Sequence, residues 1–220
     1  MKVIVFDMDD TLYDELTYVG SGFQAVATFL NDKYGIPQKD AFAHMWSTLQ
    51  STGRGAVFNI VLQEYGLENI TMVKECVKQY RFHTPKIQMF PDAIQAFEHF
   101  GSFPIYVVTD GHKEVQHKKA EALGLYDLVE KCYITHRYGR RHAKPSPYCF
   151  QQIMKREKVA PFDIVYVGDN VNKDFVGIKP LGFHTIQIAR GSFKDVVMPK
   201  AYQAEWKINS LTELFDIIKR

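Results

Sequence analysis

The stretch VIVFDMDDT, residues 3–11, decides the fold of this chain. Its first four residues, Val3–Phe6, are all apolar, which is typical of a strand buried on both faces inside a parallel sheet. Three acidic residues follow within four positions. Because ligands bind beyond the carboxyl ends of the strands in a parallel α/β sheet, the stretch predicts a central strand and a functional edge next to it.

The same apolar pattern recurs later in the chain. Four more strands are predicted at residues 105–108, 132–134, 164–167 and 183–188. Helices are predicted around them at residues 91–100, 112–124, 147–159 and 211–218. Strands that alternate with helices indicate βα units with right-handed crossovers. We therefore expect an α/β protein with a Rossmann-like parallel sheet core.

One long segment lacks any strand signal. Between residues 15 and 85, apolar residues recur at helical spacing and predict about four helices. We expect residues 15–85 to form an inserted helical subdomain. Residues 1–14 and 86–220 would then form the core.

Composition narrows the class of protein. The 220 residues are 46% hydrophobic and 24% charged, as in globular proteins. A formal net charge of +2 is too small to indicate a nucleic-acid or membrane-surface partner. Three cysteines without a CxxC pair indicate neither a disulfide framework nor a zinc site. No signal peptide or long apolar run is found, so we expect a soluble, cytoplasmic protein.

Polar residues follow several of the predicted strands, and the sheet would gather them at one edge. Asp7 and Asp9 follow the first strand, Thr109 ends the second, Lys144 comes after the third and Asp169 follows the fourth. Two carboxylates two positions apart on an extended chain face the same side, about 6.6 Å apart at roughly 3.3 Å per residue. They repel each other, and a hard divalent cation, Mg²⁺ before Ca²⁺, is the natural counter-charge.

These residues resemble, in order, the four signature motifs of the haloacid dehalogenase superfamily. The segment 7–11 resembles its DxDxT motif, Thr109 its second motif, Lys144 its third and the segment 168–174 its GDxxxxD motif. The helical insert directly after the first motif resembles the family's cap. The resemblance implies a phosphatase branch of this superfamily with an inserted α-helical cap subdomain.

The resemblance also implies a role for each acid. Asp7 would be the nucleophile that forms an aspartyl-phosphate. Asp9 would be the general acid and later the base, which requires a pKa raised above the usual value. Mg²⁺ would be held by Asp7, Asp169 and the main-chain carbonyl of Asp9. True dehalogenases of the superfamily lack the second acid of the first motif, so Asp9 favours phosphate chemistry.

Further residues are assigned in the same way. Thr109 and the amides of Asp110 and Gly111 would hold phosphoryl oxygens, and Lys144 would stabilise the developing charge. Many relatives carry Asn where this chain has Asp110, which leaves that substrate contact open. Five residues along a helix turn by about 140°, so we expect Asp174 to be a partner of Lys144 or of a metal-bound water rather than a direct ligand.

The expected substrate is a small phosphorylated metabolite: a sugar phosphate, a nucleoside monophosphate or a phosphoglycolate-like acid. We expect no nucleic-acid or membrane partner, and a monomer or homodimer. The alternatives are a phosphomutase of the same superfamily, a phospho-acceptor signalling module and a scaffold protein.

The basic run at 136–144 is read as a pocket rim or a solvated loop. His112 and residues 13–23 are candidate substrate contacts.

Overall fold

A six-stranded parallel sheet forms the centre of the larger of two units. The computed structural model describes residues 1–219, among which the strands are β1 Val3–Phe6, β2 Ile105–Thr109, β3 Lys131–Ile134, β4 Ile164–Gly168, β5 His184–Ile188 and β6 Trp206–Ile208. Their order is β3-β2-β1-β4-β5-β6, and each neighbouring pair is parallel. The predicted Rossmann-like α/β core is confirmed.

The register aligns the carboxyl ends of the three central strands. Phe6, the last residue of β1, pairs with Val107 of β2 and with Val167 of β4. Every residue of these three strands is buried, which accounts for their uninterrupted apolar runs. The residues that follow the three strands therefore leave the sheet at one edge.

Residues 16–86 form a compact unit of their own, and Met1–Glu15 with Ile87–Arg220 form the other. The helices of the smaller unit are α1 Glu15–Tyr34, α2 Gln38–Thr52, α3 Val57–Glu64 and α4 Ile70–Phe82. Their apolar faces enclose a core that includes Phe23, Met45 and Val61. The predicted helical periodicity of this segment is therefore present, and its role as a cap stays a prediction.

Helices of the larger unit flank the sheet. They are α5 Pro91–His99, α6 Lys113–Ala122, α7 Leu125–Leu128, α8 Tyr148–Glu157 and α9 Leu214–Ile217. The helix predicted over 112–124 is present as α6, and the left-handed Gly124 (φ 66°) follows its end and turns the chain into α7. Strand β6 was not predicted, since two of its three residues are exposed and it has no apolar run. Among residues 1–219, no helix has the length and apolar character needed to cross a bilayer.

Candidate active site

Three carboxylates lie together at the carboxyl edge of the sheet. Asp7 directly follows β1, and its amide donates a hydrogen bond of 2.8 Å to the Val167 carbonyl of β4. Asp169 directly follows β4. Asp7, Asp169 and Asp174 are all buried, and each offers a carboxylate oxygen within 4.8 Å of the other two. The structure therefore brings the predicted pair Asp7 and Asp169 together, with Asp174 beside them.

Asp174 reaches this cluster because the segment after β4 is not helical. Residues 171–178 form turns and bends. Within them the Asp174 amide donates to the Asn170 carbonyl over 2.9 Å, and Asp174 Oδ2 accepts the Asn170 amide at 2.9 Å. The rotation of about 140° expected for five residues of a helix therefore does not separate Asp174 from Asp169.

The Lys144 ammonium is the cation of the cluster. Its Nζ lies 2.9 Å from Asp7 Oδ1 and 2.8 Å from Asp174 Oδ1, and it donates to the Tyr166 hydroxyl over 3.0 Å. Burial alone would lower the pKa of Lys144, but the carboxylates of Asp174 and Asp7 outweigh burial and hold it well above the usual range. Tyr166 was not predicted, because its place in β4 reads as part of an apolar run.

The single Lys144 ammonium does not balance the three carboxylates of the cluster. Burial raises the pKa of Asp7 to about 7 in spite of Lys144, and burial together with the charges of Asp7 and Asp174 raises the pKa of Asp169 to about 9. Within residues 1–219, the Asp169 carboxylate has no hydrogen-bond or ion-pair partner. Buried, mutually repelling carboxylate oxygens form the donor set that a hard divalent cation prefers. The residues present therefore fit Mg²⁺.

Asp9 is held by three donors. Tyr13 donates its hydroxyl to Asp9 Oδ1 over 2.5 Å, and the Lys119 ammonium lies 2.7 Å from the same oxygen. Gln116 Nε2 donates to Asp9 Oδ2 over 2.7 Å. Burial favours the neutral acid, but the Lys119 charge and the three donors outweigh it and lower the pKa of Asp9. The expectation of a raised pKa for Asp9 is therefore wrong in this state of the protein.

Gln116 and Lys119, which contact Asp9, were not predicted from the sequence. Both lie on α6 and both are buried, at 2% and 3% exposure. His112 on the same segment, the substrate contact predicted from the sequence, is exposed. Spacing of three residues puts two side chains on one helix face. However, α6 carries few apolar residues, so its sequence does not tell which face is buried.

Asp110 is paired within the protein. Its Oδ1 accepts from the Thr135 hydroxyl at 2.6 Å and from the Lys144 amide at 3.1 Å, and its Oδ2 lies 3.2 Å from Lys173 Nζ. Burial raises its pKa, but the charges of Lys144 and Lys173 outweigh burial and hold it below the usual value. The Asp110 side chain therefore ties the loop after β2 to the loop that carries Lys144, which explains why an acid is tolerated next to Thr109.

The basic run lies in the loop before Lys144. It folds as two short 3₁₀ turns, Thr135–Tyr138 and Arg140–His142. Arg137, Arg140 and Arg141 are exposed, as in a solvated loop.

A family model for haloacid dehalogenase-like hydrolases matches residues 1–182. The match covers most of the chain and includes all four motif segments, so the chain belongs to this family of hydrolases. This confirms the resemblance and the enzyme class, and it argues against the signalling-module alternative.

The comparisons also name phosphatases and a magnesium-bound hydrolase. A glyceraldehyde 3-phosphate phosphatase from Methanocaldococcus jannaschii is 27% identical, over 100% of this chain and 97% of its own. The structure of a phosphatase from Thermococcus onnurineus is 26% identical and aligns with a TM-score of 0.63, over 99% of this chain and 97% of its own. A Bacillus subtilis hydrolase solved with magnesium has a TM-score of 0.69 at 18% identity, over 100% and 99% of the two chains, and shows the shared fold.

Proposed function

We propose that this protein is a Mg²⁺-dependent phosphatase that hydrolyses a small phosphorylated metabolite through an aspartyl-phosphate on Asp7. One observation carries the proposal. The buried Asp7 carboxylate is paired with Lys144 at 2.9 Å and lies within 4.8 Å of a carboxylate oxygen of Asp169, with which it could hold a cation. An anionic nucleophile can attack an anionic phosphate only where positive charge is concentrated around both.

In the first step, an Asp7 carboxylate oxygen forms a bond to phosphorus while the bond from phosphorus to the leaving oxygen breaks. Protonated Asp9 gives its proton to that oxygen, and the alcohol departs. Asp9 is ionised in the substrate-free protein because of Lys119, Tyr13 and Gln116. The negative charge of an arriving phosphate favours its protonated form.

In the second step, the Asp9 carboxylate takes a proton from water. The water oxygen bonds to phosphorus as the bond from phosphorus to Asp7 breaks, which releases inorganic phosphate and regenerates both acids. The same group therefore acts first as acid and then as base.

Asp7, Asp169 and the main-chain carbonyl of Asp9 would hold the magnesium ion. When bound, Mg²⁺ neutralises charge on the nucleophile and on a phosphoryl oxygen. The remaining phosphoryl oxygens would be held by the Thr109 hydroxyl, by the main-chain amides that follow it, and by Lys144. Asp174 positions Lys144 through their ion pair of 2.8 Å.

The relatives suggest where to look for the substrate. Two of them are named for glyceraldehyde 3-phosphate and for N-acylneuraminate 9-phosphate, both phosphate monoesters of small polyhydroxylated molecules. We propose a substrate of this class, a short-chain or sugar phosphate, with glyceraldehyde 3-phosphate as the first compound to test.

The test is phosphate release from a panel of phosphorylated metabolites, with and without Mg²⁺. We expect activity that needs Mg²⁺ and is lost in Asp7→Asn. The matched control Asp195→Asn removes a carboxylate from an exposed loop and should leave activity unchanged. Activity that persists in Asp7→Asn, or that is indifferent to Mg²⁺, would contradict the proposal.

A further inference from the structure

One buried glutamine joins two of the proposed catalytic residues. Gln116 Nε2 lies 2.7 Å from Asp9 Oδ2 and 2.7 Å from Thr109 Oγ1. An ionised carboxylate only accepts hydrogen bonds, so the amide nitrogen and not the amide oxygen must face Asp9. A primary amide nitrogen carries two hydrogens, and each of the two acceptors receives one.

The pattern of donors distinguishes the two oxygens of Asp9. Among residues 1–219, Oδ1 receives hydrogen bonds from both Tyr13 and Lys119, while Oδ2 receives one, from Gln116. A carboxylate oxygen has two lone pairs. Those of Oδ1 are therefore occupied, and Oδ2 keeps one lone pair on which a proton can reside.

Thr109 provides the anchor for this arrangement. Because Thr109 Oγ1 accepts from Gln116, its own hydrogen is free to be donated to a phosphoryl oxygen. Gly111 supplies the space, since a Cβ at this position would lie 2.9 Å from Cγ and Cδ of Gln116. Such a distance is closer than van der Waals contact allows, so a side chain at position 111 would displace the Gln116 side chain.

We propose that Gln116 is a positioning residue: it holds Asp9 Oδ2, the proton-carrying oxygen, in line with the leaving-group oxygen and fixes it relative to Thr109. This inference rests on the proposed phosphatase function. Without the Gln116 amide, the Asp9 carboxylate is held at Oδ1 alone, and the orientation of Oδ2 about the terminal torsion, for which the energy wells are broad, is less well fixed. Proton transfer to the leaving oxygen would suffer most, while attack by Asp7 would be little affected.

The test measures how kcat/KM depends on the acidity of the leaving group. The substrates are p-nitrophenyl, phenyl and benzyl phosphate, which are similar in shape but have progressively more basic leaving-group oxygens. The variants are Gln116→Met, which keeps the length and removes both donors, and Gln116→Asn, which keeps the amide but falls short. Gln151→Met, at an exposed glutamine of α8, is the matched control.

In the wild type and in Gln151→Met we expect a shallow dependence, because Asp9 protonates every leaving group. In both Gln116 variants we expect about 10- to 100-fold lower kcat/KM for benzyl phosphate and at most about threefold lower for p-nitrophenyl phosphate. A merely structural role would lower all three rates equally. Equal losses on all three esters would overturn the inference. A wild type whose kcat/KM already falls steeply with leaving-group basicity would also overturn it. A wild type inactive on all three esters, and also on the metabolite panel, would instead refute the proposed function.

Discussion

Replacing Asp169 by Asn should stabilise the metal-free protein at neutral and alkaline pH. Asp169 is buried next to Asp7 and Asp174 and has a pKa of about 9, against 3.8 for an ordinary aspartate. Between about pH 4 and pH 9, the folded chain therefore keeps a proton that the unfolded chain has already released. The stabilising effect of that proton is complete below pH 4 and is lost as the pH rises through this window.

The size of the effect follows from the same interval. It spans about five pH units at roughly 1.4 kcal/mol each, which sets an upper limit of roughly 7 kcal/mol. Asp7 titrates with Asp169, because its pKa is also raised, to about 7. The two acids therefore share the effect, and relaxation of the site reduces it further. We expect Asp169→Asn to gain about 2–4 kcal/mol at pH 8, or about 5–15 °C in Tm for a chain of this length.

The assay is thermal and urea unfolding of chelator-treated protein between pH 5.5 and 8.5. We expect the stability of the wild type to fall over this range, that of Asp169→Asn to fall less, and the exposed control Asp195→Asn to follow the wild type. Added Mg²⁺ should stabilise the wild type by ligand binding and leave Asp169→Asn little changed. A wild-type stability that is flat or rises with pH, or an Asp169→Asn variant no more stable than the wild type at pH 8, would refute the reasoning.

Two further changes probe neighbouring features of the site. Asp9→Asn should cost about 2–4 kcal/mol in unfolding free energy, because it removes the nearer of two carboxylates beside the buried Lys119 ammonium, at 2.7 Å, and leaves Glu15 at 3.5 Å. The added substitution Lys119→Met should restore part of the loss, and a double-mutant cycle in urea that shows no coupling would contradict this. Gly177→Ala should lower stability by about 3 kcal/mol and reduce phosphatase activity, because a Cβ there would overlap the main-chain carbonyl oxygen of Pro145. The control is Gly55→Ala, whose Cβ would meet no atom within 4 Å. Equal Tm values for the two variants would argue against the predicted overlap.

The parts of the site that lie next to strands were predictable. Asp7, Thr109 and Asp169 each stand at the end of an apolar run, and a parallel sheet aligns such ends whatever lies between them in sequence. The spacing of the motifs then pointed to the family, which the family model confirms. Local pattern and one rule of topology therefore sufficed for the fold class and for the position of the acids.

The electrostatic state of the individual groups was not predictable in this way. Whether Asp9 has a raised or a lowered pKa depends on Lys119, more than a hundred positions away in sequence, and on which face of α6 packs against the sheet. The position of Gln116 between Asp9 and Thr109 has the same origin. Burial and charge–charge contact act through distances of a few ångströms in three dimensions. Periodicity reports how a segment folds, but not which distant segment lies against it.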